Sequence, residues 1–210
     1  IGGLFLGEFG EILAGVELLD DVLGFVLGLD EDMTGVDFFL FQSAEMAGST
    51  LYISPLKALA VDIARNLERP VAEMGLPIRI ETRTGDTPSS KRQRQRRDPP
   101  QILLTTPEQL ALVLASPDAP FLFGSLKRIV LDELHALVTS KRGDLLSLGL
   151  ARLFMLAPDL TSVGLSATVA EPDDLRHFLV PQRGHGAALA DLVVAQGGAA
   201  PRVSMLDTAE

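Results

Sequence analysis

Asp132 and Glu133 stand side by side at the end of an apolar run, "IVLDELHAL", with His135 two residues further on. Adjacent residues at a strand end point in different directions, so the two carboxylates can divide labour. One can hold a divalent cation such as Mg2+, directly or through water, while the other orients or deprotonates a water attacking a phosphoryl group. For an isolated Asp-Glu pair the plainer alternative is a polar strand end that caps the next helix. A third reading is a metal-dependent hydrolase or nuclease that uses Asp132, Glu133 and His135 without a nucleotide. His177 and His185 lack neighbours at metal-ligand spacing. The chain has no G-x-S-x-G elbow and no Cys, which removes disulfides and thiolate metal sites.

The carboxylates need a scaffold, and from residue 51 the chain reads as one. Short apolar runs alternate with segments of helical period. "LYIS" (51–54) precedes "PLKALAVDIARNLERPVAEMG", in which Leu56, Leu59, Ile63 and Leu67 predict one apolar stripe. "IRIETRT" (78–84), "QILLTT" (101–106), "RIVLDE" (128–133), "TSVGLSAT" (161–168) and "ADLVVA" (190–195) read as further strands. Strands separated by helical crossovers predict an α/β domain with a largely parallel sheet and helices on both faces. Ligands of such sheets bind beyond the carboxyl ends of the strands, where Ser54, Thr105, Thr106, Asp132, Glu133, Ser166 and Thr168 all fall.

Each polar position also has an ordinary structural reading. Ser54-Pro55 and Thr106-Pro107 are N-cap plus Pro starts of helices. Thr84-Gly85-Asp86 is a turn signal, and Ser166 to Thr168 a strand-end turn. The basic residues of "KRQRQRR" (91–97) would point all round a helix, which predicts a short solvated helix rather than a binding face. Asp98-Pro99-Pro100 should end it.

The formal net charge of -10 argues against nucleic acid as a partner on totals alone. The totals conceal a break. Residues 1 to 50 hold ten acidic residues and no Lys or Arg, nine of the 19 glycines and six of the ten Phe, but no Pro. The remaining 18 acids are balanced by all 18 bases. The first apolar stretch lacks a basic n-region, and no run of about 20 apolar residues could span a membrane, so the expected setting is cytoplasmic. A start at Ile1 and an end at "SMLDTAE" suggest a fragment.

Taken in order, "SPLKALA" (54–60), "TGD" (84–86), "TTPEQL" (105–110), "DELH" (132–135) and "SAT" (166–168) resemble the first RecA-like motor domain of a superfamily 2 DEXH-box helicase. The resemblance is to the Lhr (large helicase-related) type, especially the bacterial ligase-associated DNA damage response helicases. It implies a three-layer sandwich over residues 50–210, with 1–49 an atypical acidic segment standing in the phosphate-loop region. It also implies ATP and Mg2+ as cofactors, Asp132 as the Mg2+ ligand, Glu133 as the catalytic base, and His135 as the link to the nucleic-acid side. Ser166, Ala167 and Thr168 would couple hydrolysis to strand movement. Ser54, Pro55, Lys57, Thr84, Gly85, Thr106, Pro107 and Glu108 would meet the backbone of single-stranded DNA, with RNA as the alternative. The setting implied is DNA repair, with a DNA ligase as pathway companion.

A motor of this kind needs a phosphate loop, G-x-x-x-x-G-K-[ST], before "LYISPLKAL". The four lysines are Lys57, Lys91, Lys127 and Lys141, and none follows Gly and precedes Ser or Thr. Without that lysine and its nest of N–H groups, the β- and γ-phosphates lose their main cradle. The loop's strand should also be missing from the middle of the sheet, and "VDFFLFQSA" (36–44) is the segment expected to take its place. A catalytically inactive nucleic-acid-binding module therefore stands beside the helicase reading.

Overall fold

The computed structural model describes residues 3–7, 48–166, 171–182 and 189–194. Seven strands form one sheet: β1 (Gly3–Gly7), β2 (Ser49–Ile53), β3 (Ile80–Arg83), β4 (Ile102–Thr105), β5 (Leu126–Leu131), β6 (Thr161–Ser166) and β7 (Asp191–Val194). Their order is β3-β4-β2-β5-β6-β1-β7. Every neighbouring pair is parallel. The helices are α1 (Lys57–Glu73), α2 (Ser89–Arg97), α3 (Pro107–Leu114), α4 (Ala119–Phe123), α5 (Leu134–Val138), α6 (Lys141–Leu156) and α7 (Pro172–Phe178). No helix among the described residues is long and apolar enough to cross a membrane.

The strands' two-residue period sorts their side chains into two cores. Leu51, Ile53, Ile129 and Leu131 face one side, where α3, α4, α5 and α6 supply Leu110, Phe123, Leu134, Leu150 and Leu153. Tyr52, Ile102, Leu104, Val130 and Leu165 face the other, under Ala60, Ile63, Ala64 and Leu67 of α1. Burying each large aliphatic side chain is worth about 1.5–3 kcal/mol. That is why the central strands carry apolar residues at nearly every position. The result is the expected three-layer α/β sandwich with helices on both faces.

Two local expectations are corrected. The stripe on α1 is Ala60, Ile63, Ala64 and Leu67, while Leu56 is 59% exposed. Leu56 is the N-cap with extended backbone, so it precedes the helical rows that face the sheet. The place beside β6 is filled by β1, whose Gly3–Gly7 pair in register with Ser162–Ser166. Its sequence, "GLFLG", is uncharged with three consecutive apolar residues, the composition of a strand covered on both faces. Segment 36–44, expected to take that place, lies outside the described residues.

The basic run does form a helix, α2, that ends at Arg97 with Asp98 as its C-cap. Gln95 is its one buried residue. α1 ends in a turn whose geometry requires glycine: Gly75 has φ of +62°, its N–H donates to Ala72 O, and Leu76 N–H donates to Val71 O.

Candidate functional site

The chain runs from β2 out to β3, back to β4, and then crosses to β5 on the opposite side of β2. The reversal point is therefore the crevice between the carboxyl ends of β2 and β5, where an open α/β sheet offers space to a ligand. Hydrogen bonds extend the ladder past the strands there. Asp132 N–H donates to Ile53 O at 2.9 Å, and Ser54 N–H to Thr105 O at 3.0 Å. Thr105 Oγ1 donates to Arg83 O at 2.6 Å. Leu131 pairs with Gly164, so Ser166 lies level with the Asp132-Glu133 pair, and Gly7 is paired with Ser166. The sheet thus brings the ends of six strands to one edge.

Asp132 is buried and Glu133 is half-exposed. Burial, then the neighbouring Glu133 charge, pushes the Asp132 carboxyl from its ordinary 3.8 up to about 6; Tyr52 and the Glu133 N–H partly oppose the rise. The Glu133 N–H donates to Asp132 Oδ1 at 3.0 Å. Tyr52 Oη is buried, with no hydrogen bond of good geometry, yet it sits close enough for Asp132 to add to the effect of burial and hold the phenol well above its usual range. Glu133 is the one non-glycine with positive φ among the described residues, at φ 49° and ψ 45°. A non-glycine residue in this left-handed region costs about 1–2 kcal/mol. This left-handed residue turns the chain from the end of β5 into α5.

A raised carboxyl pKa means the native state holds its proton more tightly than the unfolded chain. The associated stability is present below pH 3.8 and lost as pH rises through about 6. Asp132→Asn removes that loss. In the absence of divalent cation and nucleotide, the variant is expected to exceed the wild type in urea-unfolding stability at pH 8, by on the order of 3 kcal/mol. The gap should narrow as pH is lowered toward 4; a gap independent of pH would contradict this origin.

His135 joins the carboxylates to the next strand. Its Nδ1 lies 2.8 Å from Ser166 Oγ. Its Nε2 lies 3.4 Å from Glu133 Oε2, an ion pair when the imidazole is protonated. The structure therefore brings Glu133, His135 and Ser166 into one chain of contacts, while Ala167 and Thr168 lie outside the described residues. Gly164 makes this approach possible: a Cβ there would come within 2.6 Å of Leu134 Cδ2 and 2.9 Å of Leu179 Cδ1. Both leucines are fully buried and have nowhere to retreat. Gly164→Ala is expected to cost about 1–3 kcal/mol in urea unfolding, as overpacking does.

The loops at the same edge carry the remaining predicted residues. Ser54 is fully buried and its hydroxyl has no partner, so Pro55 and the exposed Leu56 and Lys57 are what its loop presents. Lys57 forms an ion pair with Asp86 of the adjacent turn. Thr84 is buried, its N–H accepted by Thr87 Oγ1 at 2.9 Å, and Gly85 is exposed. Thr106 is the N-cap of α3, with Pro107 at the first turn and Glu108 partly exposed. Two arginines that spacing did not mark hold these loops. Arg92 Nη2 donates to Thr84 O at 3.2 Å and Gly85 O at 2.6 Å. Arg142 reaches both Pro55 and Glu108. The basic composition of α2 was visible, but its use to hold a turn seven residues upstream was not.

A parallel α/β sheet with paired carboxylates at its switch point and a His-Ser link to the next strand is the arrangement of a RecA-like helicase domain. The family model described as DEAD/DEAH box helicase matches residues 36–175, and the chain belongs to that family. Among curated relatives, an ATP-dependent helicase Lhr-Core from Methanothermobacter thermautotrophicus is 45% identical over 139 residues, 62% of this chain and 16% of the relative. The Lhr helicase/uracil glycosylase of Escherichia coli is 43% identical over 140 residues, 61% of this chain and 9% of that protein. The structure of Mycobacterium smegmatis helicase Lhr bound to ssDNA and AMP-PNP matches with a TM-score of 0.64 and 37% identity, covering 76% of this chain and 21% of that one. The chain thus spans less than a fifth of the length of the first curated relatives it matches.

Proposed function

We propose that this chain is the first motor domain of an ATP-dependent DNA helicase or translocase that couples ATP hydrolysis to movement along single-stranded DNA. The observation that carries the reading is the run of contacts Glu133–His135–Ser166, which links the carboxylate pair on β5 to the end of the neighbouring strand. The likeness to the mycobacterial Lhr structure, which is bound to ssDNA and AMP-PNP, supports the same ligand classes here. DNA repair is the setting we infer, from the likeness to ligase-associated DNA damage response helicases, with a ligase as pathway companion.

In this reading Asp132 would hold Mg2+ beside the nucleotide. Its carboxylate is buried, and burial raises its affinity for a positive charge, proton or metal. Among the described residues no group of three or more His, Cys, Asp or Glu could hold a metal ion. Asp132 would then contribute a single carboxylate to the ion, which suits Mg2+ carried in with a nucleotide. The bound ion supplies charge neutralisation at the phosphates. Glu133, half-exposed beside buried Asp132, orients the attacking water and accepts its proton. His135 passes the resulting change in charge and position toward Ser166. The Pro55, Gly85 and Pro107 loops offer main-chain N–H groups to the phosphates of one strand, with Lys57 adding charge.

A second reading, that the 210 residues alone are an inactive nucleic-acid-binding module, is favoured by the lack of any lysine placed as a phosphate loop requires. Residues 1–49 would then be a divergent segment in the loop's place. Calorimetry with MgATP, on the chain as it stands and with a phosphate loop installed, separates the two. Binding only after installation supports the motor reading for the parent protein and the binding-module reading for this chain.

A further inference from the structure

Arg142 lies in the first turn of α6, 87 residues from one of its partners. Its Nη1 donates to Pro55 O at 3.1 Å, and its Nε pairs with Glu108 Oε1 at 2.8 Å. Pro55 follows β2 and Glu108 follows β4, and these two strands are neighbours in the sheet. One guanidinium therefore spans two loops. Because its N–H groups diverge in a rigid plane, it fixes the distance between them in a way a lone ammonium cannot.

The base of this clasp is equally fixed. A Cβ at Gly143 would lie 2.6 Å from both Leu137 O and Val138 O, so glycine alone lets the first turn of α6 seat against the end of α5. Gly143 N–H also donates to Ser140 O at 2.8 Å. α5 begins immediately after Glu133. A short packed path thus runs from the carboxylate pair through α5 to Arg142.

We propose that Arg142 is a positioning residue for the nucleic-acid surface, holding the Pro55 and Glu108 loops in one register from α6, which seats against the end of α5, the helix that follows Asp132 and Glu133. The assignment rests on the nucleic-acid reading of those loops. Arg142 also neutralises Glu108, which would otherwise face the phosphates as an unpaired anion.

The test is binding of an oligo-dT single strand, followed by fluorescence anisotropy across a salt series, for the wild-type chain, Arg142→Ala and Arg142→Lys. Lys keeps the charge but cannot span both partners. Both variants are expected to bind about tenfold more weakly than wild type, a loss the size of one or two hydrogen bonds. The slope of log K against log salt should be unchanged for Arg142→Lys, and the variants' melting temperatures should match wild type because Arg142 is half-exposed. Wild-type affinity in Arg142→Lys would overturn positioning in favour of charge alone. A slope reduced by about 0.7 in Arg142→Ala, with Arg142→Lys unaffected, would mark a direct phosphate contact instead. If the wild-type chain fails to bind at low salt, the nucleic-acid reading itself falls, and Arg142 with it.

Discussion

Installing a Gly-x-x-x-x-Gly-Lys-Thr loop directly after Gly7 is expected to raise affinity for MgATP at least about a hundredfold over the chain as it stands, read by titration calorimetry. The site of installation follows from the sheet. β1 is flanked by β6 and β7, and its last residue, Gly7, pairs with Ser166 at the edge where Asp132 and Glu133 emerge. A loop leaving β1 there enters the same crevice. Its lysine and main-chain N–H groups would make charge-assisted hydrogen bonds to the phosphates, each worth about 1.5–3 kcal/mol, so two of them account for a factor of a hundred or more. In the proposed reading the unmodified chain offers Asp132 for the metal, but it has no lysine with the required neighbours for the phosphates. Tight binding by the unmodified chain would mean that another segment already cradles the phosphates, and the defect inferred here would be wrong.

In that loop-restored chain, joined to a second motor domain as the proposed function requires, Glu133→Gln is expected to lower kcat for ATP about 10²–10⁴-fold, the usual contribution of a positioned general base. MgATP affinity should stay within about threefold if, as proposed, Glu133 acts on the water and Asp132 on the metal. The two carboxylates sit in different environments, one buried and one half-exposed, which is the physical basis for assigning them different work. Asp132→Asn should accordingly weaken MgATP binding as well as turnover. Measuring kcat and affinity for both variants tests the division directly. Equal losses of affinity in the two, or an active Glu133→Gln, would show that the roles have been assigned to the wrong side chains.

Much of the scaffold was legible because it is written in local period. Five strands, β2 to β6, overlap the apolar runs from "LYIS" to "TSVGLSAT", with β2 and β5 each beginning two residues earlier than their runs, and they lie contiguously in the sheet as β3-β4-β2-β5-β6. Asp98-Pro99-Pro100 stopped α2 where Pro chemistry requires. The position of Asp132 and Glu133 just beyond a buried strand could be read directly, since one strand and its polar end are continuous in the chain. Leu56 shows where this fails: its three- and four-residue spacing fits the stripe, but the helix begins one residue later.

What the sequence determined by itself is what depends on neighbours in the chain: the α/β alternation, the polar ends of the strands, the absence of a phosphate-loop lysine and the break in charge near residue 50. The tertiary structure alone decided which strand lies beside β6, that His135 meets Ser166 31 residues away, and that Arg142 closes on Pro55 and Glu108. Periodicity specifies which face of an element is buried but not which element covers it. That choice is made by the two cores together, when every strand must find a neighbour for its main-chain hydrogen bonds and a cover for both faces.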